Sequence, residues 1–248
     1  MQSSFLLVYA TMSFYMKYAL LIGSIFFILA CTEDPDGTEP ATLDTTHFPL
    51  SIGNYRDYSV TERIHFTSMD IETRFYEIRE EVSGEFENLQ GGKSYELKRY
   101  SRTGSNEPWT LDSLWISRID RNPLVRSVQV ENNVPFIKLV FPIAVGKTWD
   151  GNALNNRPAE TYEITDIFDT YNPQGSLSFP SGVKVLQQED DDELTIRDIR
   201  YEVYSPNIGM VHRYNETLKY CSRPECLGQK IVDSGRFIEM RLIAHGQL

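Results

Sequence analysis

The stretch Tyr58-Ser59-Val60-Thr61-Glu62-Arg63-Ile64-His65-Phe66 decides the fold. Tyr58, Val60, Ile64 and Phe66 alternate with Ser59, Thr61, Arg63 and His65, and Glu62 is the one residue out of step. A period of two belongs to a strand with one dry and one wet face. Working outward, Ile199, Tyr201 and Val203 alternate with Asp198, Arg200 and Glu202. Met210, His212, Tyr214, Leu218 and Tyr220 share a face, which assigns Arg213, Asn215, Thr217 and Lys219 to the wet one; Ile238, Met240 and Leu242 repeat the pattern.

Further strands are expected near 72–82, 94–102, 109–119, 124–131, 135–141, 160–168 and 183–189. Turn signals part them: Gln90-Gly91-Gly92-Lys93, Gly104-Ser105-Asn106, Asn122-Pro123, Asn132-Asn133, Asn172-Pro173-Gln174-Gly175 and Pro180-Ser181-Gly182. After residue 30 no helical stripe of about 12 residues or more occurs. The expectation is a single all-β domain over 47–248, with antiparallel strands in a large curved sheet that forms a half-barrel, barrel or sandwich. An internal echo runs through it. Phe48-Pro49-Leu50-Ser51-Ile52-Gly53 precedes Asp57, Phe141-Pro142-Ile143-Ala144-Val145-Gly146 precedes Asp150, and Ser205-Pro206-Asn207-Ile208-Gly209 is a looser third copy. Each reads as one device, proline fixing φ and glycine permitting a tight turn before a strand; an ancestral duplication is the other account.

The N-terminus carries an address. From Phe5 to Ala30 Lys17 is the only charge. Beginning the reading at Met16 makes Met16-Lys17 a positive n-region and Tyr18–Ala30 an apolar h-region, so residues 1–30 read as a signal peptide with its true start at Met16 or Met12. Ile28-Leu29-Ala30-Cys31 resembles the bacterial lipobox. That resemblance implies lipidation of Cys31, and each buried methylene of such an anchor adds about 0.8 kcal/mol. Residues 31–46 hold Pro35, Gly37 and Pro40 among Glu33, Asp34, Asp36 and Glu39, the composition of a solvated tether. The acids after Cys31 also resemble the surface-export signal of Bacteroidota lipoproteins, with a plain acidic spacer as the alternative.

Charge and cysteine content narrow the partners. Among 248 residues, 35 Asp and Glu outweigh 24 Lys and Arg, a net charge of −11, which disfavours nucleic acid and anionic lipid surfaces. Cys221 and Cys226 bracket Ser-Arg-Pro-Glu, and in an exported protein two such thiols most simply form a disulfide. A metal site there would lack two further ligands. The run Glu189-Asp190-Asp191-Asp192-Glu193 reads as a solvated hairpin loop, with a weak Ca²⁺ site through Asp190, Asp191 and Asp192 as the alternative.

Chemistry-bearing motifs are scarce. No His-Glu-x-x-His, Gly-x-Ser-x-Gly or phosphate-cradling glycine loop occurs. No catalytic residue and no cofactor are therefore expected, and His212 reads as a hydrogen-bonded core histidine. The aromatics read mainly as core, with Trp109, preceded by Asn106-Glu107-Pro108, the candidate for stacking a ligand.

The lipobox, Phe48-Pro49-Leu50 with Ile52-Gly53-Asn54-Tyr55, the run from Phe141 to Asn152 and Ile208-Gly209-Met210-Val211-His212-Arg213 together resemble the uncharacterised lipoproteins of Bacteroidota bacteria. The resemblance implies an envelope β-protein, held at the outer membrane on its periplasmic face or at the cell surface, and supplies no catalytic residues. The functional expectation is non-enzymatic binding or scaffolding, toward an apolar or glycan ligand or an envelope protein. The alternative is an accessory hydrolase of envelope or extracellular glycans, marked by close-set buried carboxylates.

Overall fold

In a computed structural model, the structure describes residues 44–89, 91–173 and 177–248. Met16, the lipobox with Cys31 and the tether up to residue 43 lie outside the described residues, as do Gln90 and 174–176 of two turn signals. Leu43–Leu248 form one compact unit.

Every described element is a strand: β1 Asn54–His65, β2 Ile71–Glu87, β3 Lys93–Arg102, β4 Thr110–Asp120, β5 Arg126–Glu131, β6 Val134–Val140, β7 Thr148–Asp150, β8 Thr161–Tyr171, β9 Phe179–Asp191, β10 Ile196–Ser205, β11 Gly209–Tyr220 and β12 Val232–Gln247. All twelve join one antiparallel sheet in the order β6-β5-β4-β3-β2-β1-β12-β11-β10-β9-β8-β7. That order is an up-and-down meander whose first and last strands pair, Asn54 opposite Gln247 through His65 opposite Gly235. The sheet is a nearly closed barrel, and its seam falls in mid-chain between β6 and β7. There Ile137 N–H donates to the Gly151 carbonyl at 3.0 Å and the Trp149 indole N–H to the Ile137 carbonyl at 2.9 Å. Eight of the eleven pairings among the described residues carry a register shift, and each bulge adds the local twist that curls a sheet.

The interior is filled. Tyr58 of β1, Leu139 of β6, Ile164 of β8, Tyr204 of β10 and Leu242 of β12 are fully buried and belong to one cluster, so side chains from around the ring meet in the middle. The Tyr58 hydroxyl donates to the Met210 carbonyl at 2.9 Å, giving this buried phenol its partner.

The echo proves to be structural. Phe48 and Phe141 both enter the core, and Gly53 and Gly146 both take a left-handed φ, +88° and +80°. Each glycine donates its N–H to the second strand of the half-barrel it opens, Gly53 to Val82 and Gly146 to Ile164, both at 2.8 Å. The two motifs thus begin β1 and β7, half a turn of the ring apart. β7 is the strand the sequence does not announce; three residues are too few for a period, and they lie inside a motif read as a turn.

Two facing assignments are reversed: on β10, Glu202 turns inward at 1% exposed while Tyr201 stacks outside on Tyr214, and β11 follows suit. Arg213 and Asn215 do not sit on the wet side of β11. They point into the barrel, while Tyr214 packs outside on Tyr201 and Phe237. The period of two is right; the polarity rule fails because the upper interior of this barrel is charged.

Candidate functional site

Viewed with β1 running upward, the interior holds an apolar cluster and, beside and above it, a set of ion pairs. Arg213 of β11 reaches Glu131 of β5 (3.1 Å) and Glu202 of β10 (Nε to Oε1, 2.7 Å). Lys138 of β6 donates to the same two carboxylates, at 2.9 and 2.8 Å, and the Tyr204 hydroxyl donates to Glu202 at 2.5 Å. β5 and β11 stand half a ring apart, so this cluster bridges the lumen. It balances two acids against two bases. Burial alone pushes the Glu202 carboxyl up, but Arg213 and Lys138 overcome it and hold Glu202 well below the usual carboxylate range. Glu131 is lowered by the same contest between burial and the two cations.

Two further groups sit beside it. Glu80 accepts from Arg99 at 3.2 Å and faces Arg56 at 3.6 Å, while the Arg99 guanidinium lies over the Trp115 ring at 3.8 Å from its centroid. Glu62, 2% exposed, accepts from Arg236 at 2.6 Å and from the Tyr76 hydroxyl at 3.4 Å. Glu62 is the residue that broke the alternation of β1. Its misfit was the sequence signal for a charged interior. Arg99 and Glu80 gave no such signal, because a charge at a strand position reads by default as solvent-facing.

Above these ion pairs opens a cleft of about 950 Å³. Its floor is Arg99, Trp115 and Arg213, and its walls offer Ser101, Asn132 and Asn215. β2 stands along one side with Tyr76 and Phe75, and the β3–β4 loop closes the other with Glu107 and Pro108. The cleft is rich in hydrogen-bonding groups of both kinds, with aromatic edges at its rim. A second cleft, of about 1060 Å³, lies at the opposite end, where the chain enters past Thr45 and Thr46. Part of its wall is the β2–β3 turn that contains Gln90, outside the described residues.

None of the candidate site residues singled out in the sequence lines the upper cleft, although Trp109 sits between two that do, Pro108 and Thr110. Trp109 is outside the barrel, where Arg102 and Arg79 stack on its ring at 4.1 and 4.9 Å, so its faces already have partners. Trp109→Ala is expected to lower stability by about 1 kcal/mol, the scale of exposed cation–π pairs; a thermal melt checks it, and an unchanged midpoint would show those stacks to be idle. Cys221 and Cys226 form a disulfide in the β11–β12 loop, with Cα atoms 5.8 Å apart. Asp192 commits its carboxylate to its own turn, accepting from the backbone N–H groups of Leu194, Thr195 and Ile196, and Asp191 pairs with Arg197. Among the described residues no three acids, histidines or cysteines are grouped to hold a metal ion. His212, 4% exposed, has both ring nitrogens engaged, Nδ1 with the Tyr171 hydroxyl at 2.5 Å and Nε2 with Glu239 at 3.0 Å.

A glycosidase needs one carboxyl kept protonated near neutral pH. Glu131 and Glu202 are driven the other way, and Glu62 is committed to Arg236 and Tyr76.

No family model and no curated protein matches the chain. Two solved structures align with it. One is a Bacteroides fragilis chain named for export and for a YMCC-like fold, 13% identical, covering 81% of this chain and 98% of its own, with a TM-score of 0.45. The other is a Parabacteroides distasonis chain named as a lipoprotein, 14% identical with the same coverage and a TM-score of 0.36.

Proposed function

We propose that this protein is a lipid-anchored envelope lipoprotein that binds a polar ligand of the glycan class in its upper cleft, without turning it over. The observation that carries the reading is the cleft itself. Below it the barrel is packed with side chains, which leaves little room for an apolar cargo, while the cleft presents guanidinium, carboxylate, amide and hydroxyl groups beside aromatic edges. Sugars are recognised by that combination, hydrogen bonds to hydroxyls and a ring against the apolar face. The guanidinium groups are already held by carboxylates and the Trp115 ring, so a ligand meets donors that are fixed before it arrives. The signal peptide, lipobox and acidic tether support the anchor at Cys31 and a place in the outer membrane. The described chain enters the barrel at the end away from the cleft.

Native mass spectrometry of the full chain, extracted in detergent from its host, tests this. A reproducible added mass of oligosaccharide size is expected in the native chain and absent from Asn215→Trp, whose indole would stand in the cleft where the ligand must pass. A bare mass in the native chain, together with no retention on immobilised envelope polysaccharides, would overturn the reading.

A further inference from the structure

The β1–β2 hairpin stands taller than its neighbour on one side. β3 ends at Arg102, opposite Glu77, so Ile71–Tyr76 of β2 pair with β1 alone. Among the described residues no backbone hydrogen bond from another segment covers their outer edge. Such an edge is a template for another strand. It is also apolar on its outward face, since Ile71 is 50% and Phe75 69% exposed, and Phe66 and Met69 continue the apolar surface at the hairpin tip, 54% and 94% exposed.

We infer that this edge pairs with the same edge of a second copy, antiparallel and centred on Thr73. A two-fold axis normal to the sheet sets outward side chains opposite outward ones, so the axis must pass through a residue rather than between two. Centring on Glu72 opposes two glutamates, and centring on Arg74 opposes two arginines; like charges directly opposite are destabilising. Centring on Thr73 puts Glu72 opposite Arg74 twice and Ile71 opposite Phe75 twice. Both faces of the edge are complementary to themselves in that register. In the single chain Glu72 and Arg74 already hold each other, Nε to Oε1 at 2.7 Å and Nη2 to Oε2 at 2.9 Å, so the two charges lie at the edge and need only exchange partners. This pairing is independent of any ligand in the cleft, although the same edge forms one wall of it.

Charge exchange tests it with the full chain in density-matched detergent, followed by sedimentation velocity. Glu72→Arg and Arg74→Glu are each expected to weaken self-association by about tenfold or more. Mixing the two variants restores it, because the edge with two arginines then meets the edge with two glutamates. A merely structural role for the pair would not produce that cross-rescue. Thr73→Cys, at the axis, is expected to give a disulfide-linked dimer under mild oxidation, well above the level of Ser105→Cys in the exposed β3–β4 loop. Native chain that sediments as a monomer at high concentration would overturn the inference. So would single variants that associate like the native chain, or mixed variants that fail to pair.

Discussion

Replacing Glu202 by Leu is expected to cost about 3–5 kcal/mol of folding stability, the range for removing one partner of a buried ion pair. Glu202 is 1% exposed and holds Lys138, Arg213 and the Tyr204 hydroxyl at once. Its loss leaves two cations with Glu131 alone in the barrel interior. Urea unfolding followed by far-ultraviolet circular dichroism measures the cost. The double variant Glu202→Leu with Lys138→Met restores charge balance and is expected to recover a substantial part of it, since a packed apolar pair often equals a buried salt bridge. If the single and double variants lose equally, packing rather than charge governs the site. The same carboxyl links stability to acid. Its pKa is lowered on folding, so the unfolded chain binds its proton more readily. The stability its ion pairs contribute is complete above the ordinary glutamate pKa of about 4.3 and is lost as the pH falls through the lower, folded value. Glu202→Gln should therefore flatten the acid limb of the stability curve. An acid limb identical to that of the native chain would remove Glu202 as its cause.

Gly235→Ala is the second substitution expected to do large damage. Gly235 sits in β12 opposite both His65 of β1 and Leu218 of β11, with φ at +142°. A Cβ there would collide with the Thr217 carbonyl oxygen and lie 2.7 Å from the Leu218 Cα. Both obstacles are backbone, so no side-chain rotation relieves them. The β11–β12 ladder must part or shift, and strain and overpacking together set a cost of about 3–5 kcal/mol. Gly104→Ala is the control, because the nearest atom to its Cβ belongs to the flexible Glu107 side chain at 4.0 Å. Paired thermal melts decide it: a change at residue 235 as small as at residue 104 would mean that the two strands are free to slide.

The strands themselves were open to reading from residue order, because alternation and turn chemistry are local. Asn132-Asn133 proves the point, since both residues take the positive φ of a tight hairpin, 51° and 65°. Which side of a strand faces inward is not local. On β11 the polar residues line the lumen, and only residues distant in sequence, Glu131 and Glu202, make that position affordable for Arg213. The cleft was hidden for the same reason. Its floor is assembled from β3, β4 and β11, and none of Arg99, Trp115 or Arg213 has a neighbour in sequence that marks it. Glu62 was the exception, visible because it interrupted an otherwise regular strand. Trp109 was misleading in the opposite sense: its surroundings in sequence are loop-like and polar, yet two arginines from β2 and β3 fold over it.

The closure of the ring by β1 and β12 has a consequence for how the chain comes into being. β1 is the first strand made, and its second neighbour is the last, roughly 170 residues later on the ribosome or through a translocon. A contact of such long sequence separation is slow to form. Until residues 232–247 arrive, β1 and β11 each show a bare margin, and a chain cut short by those sixteen residues keeps both. The same strand order that joins β1 to β12 in the finished protein makes the nascent one dependent on its final syllable.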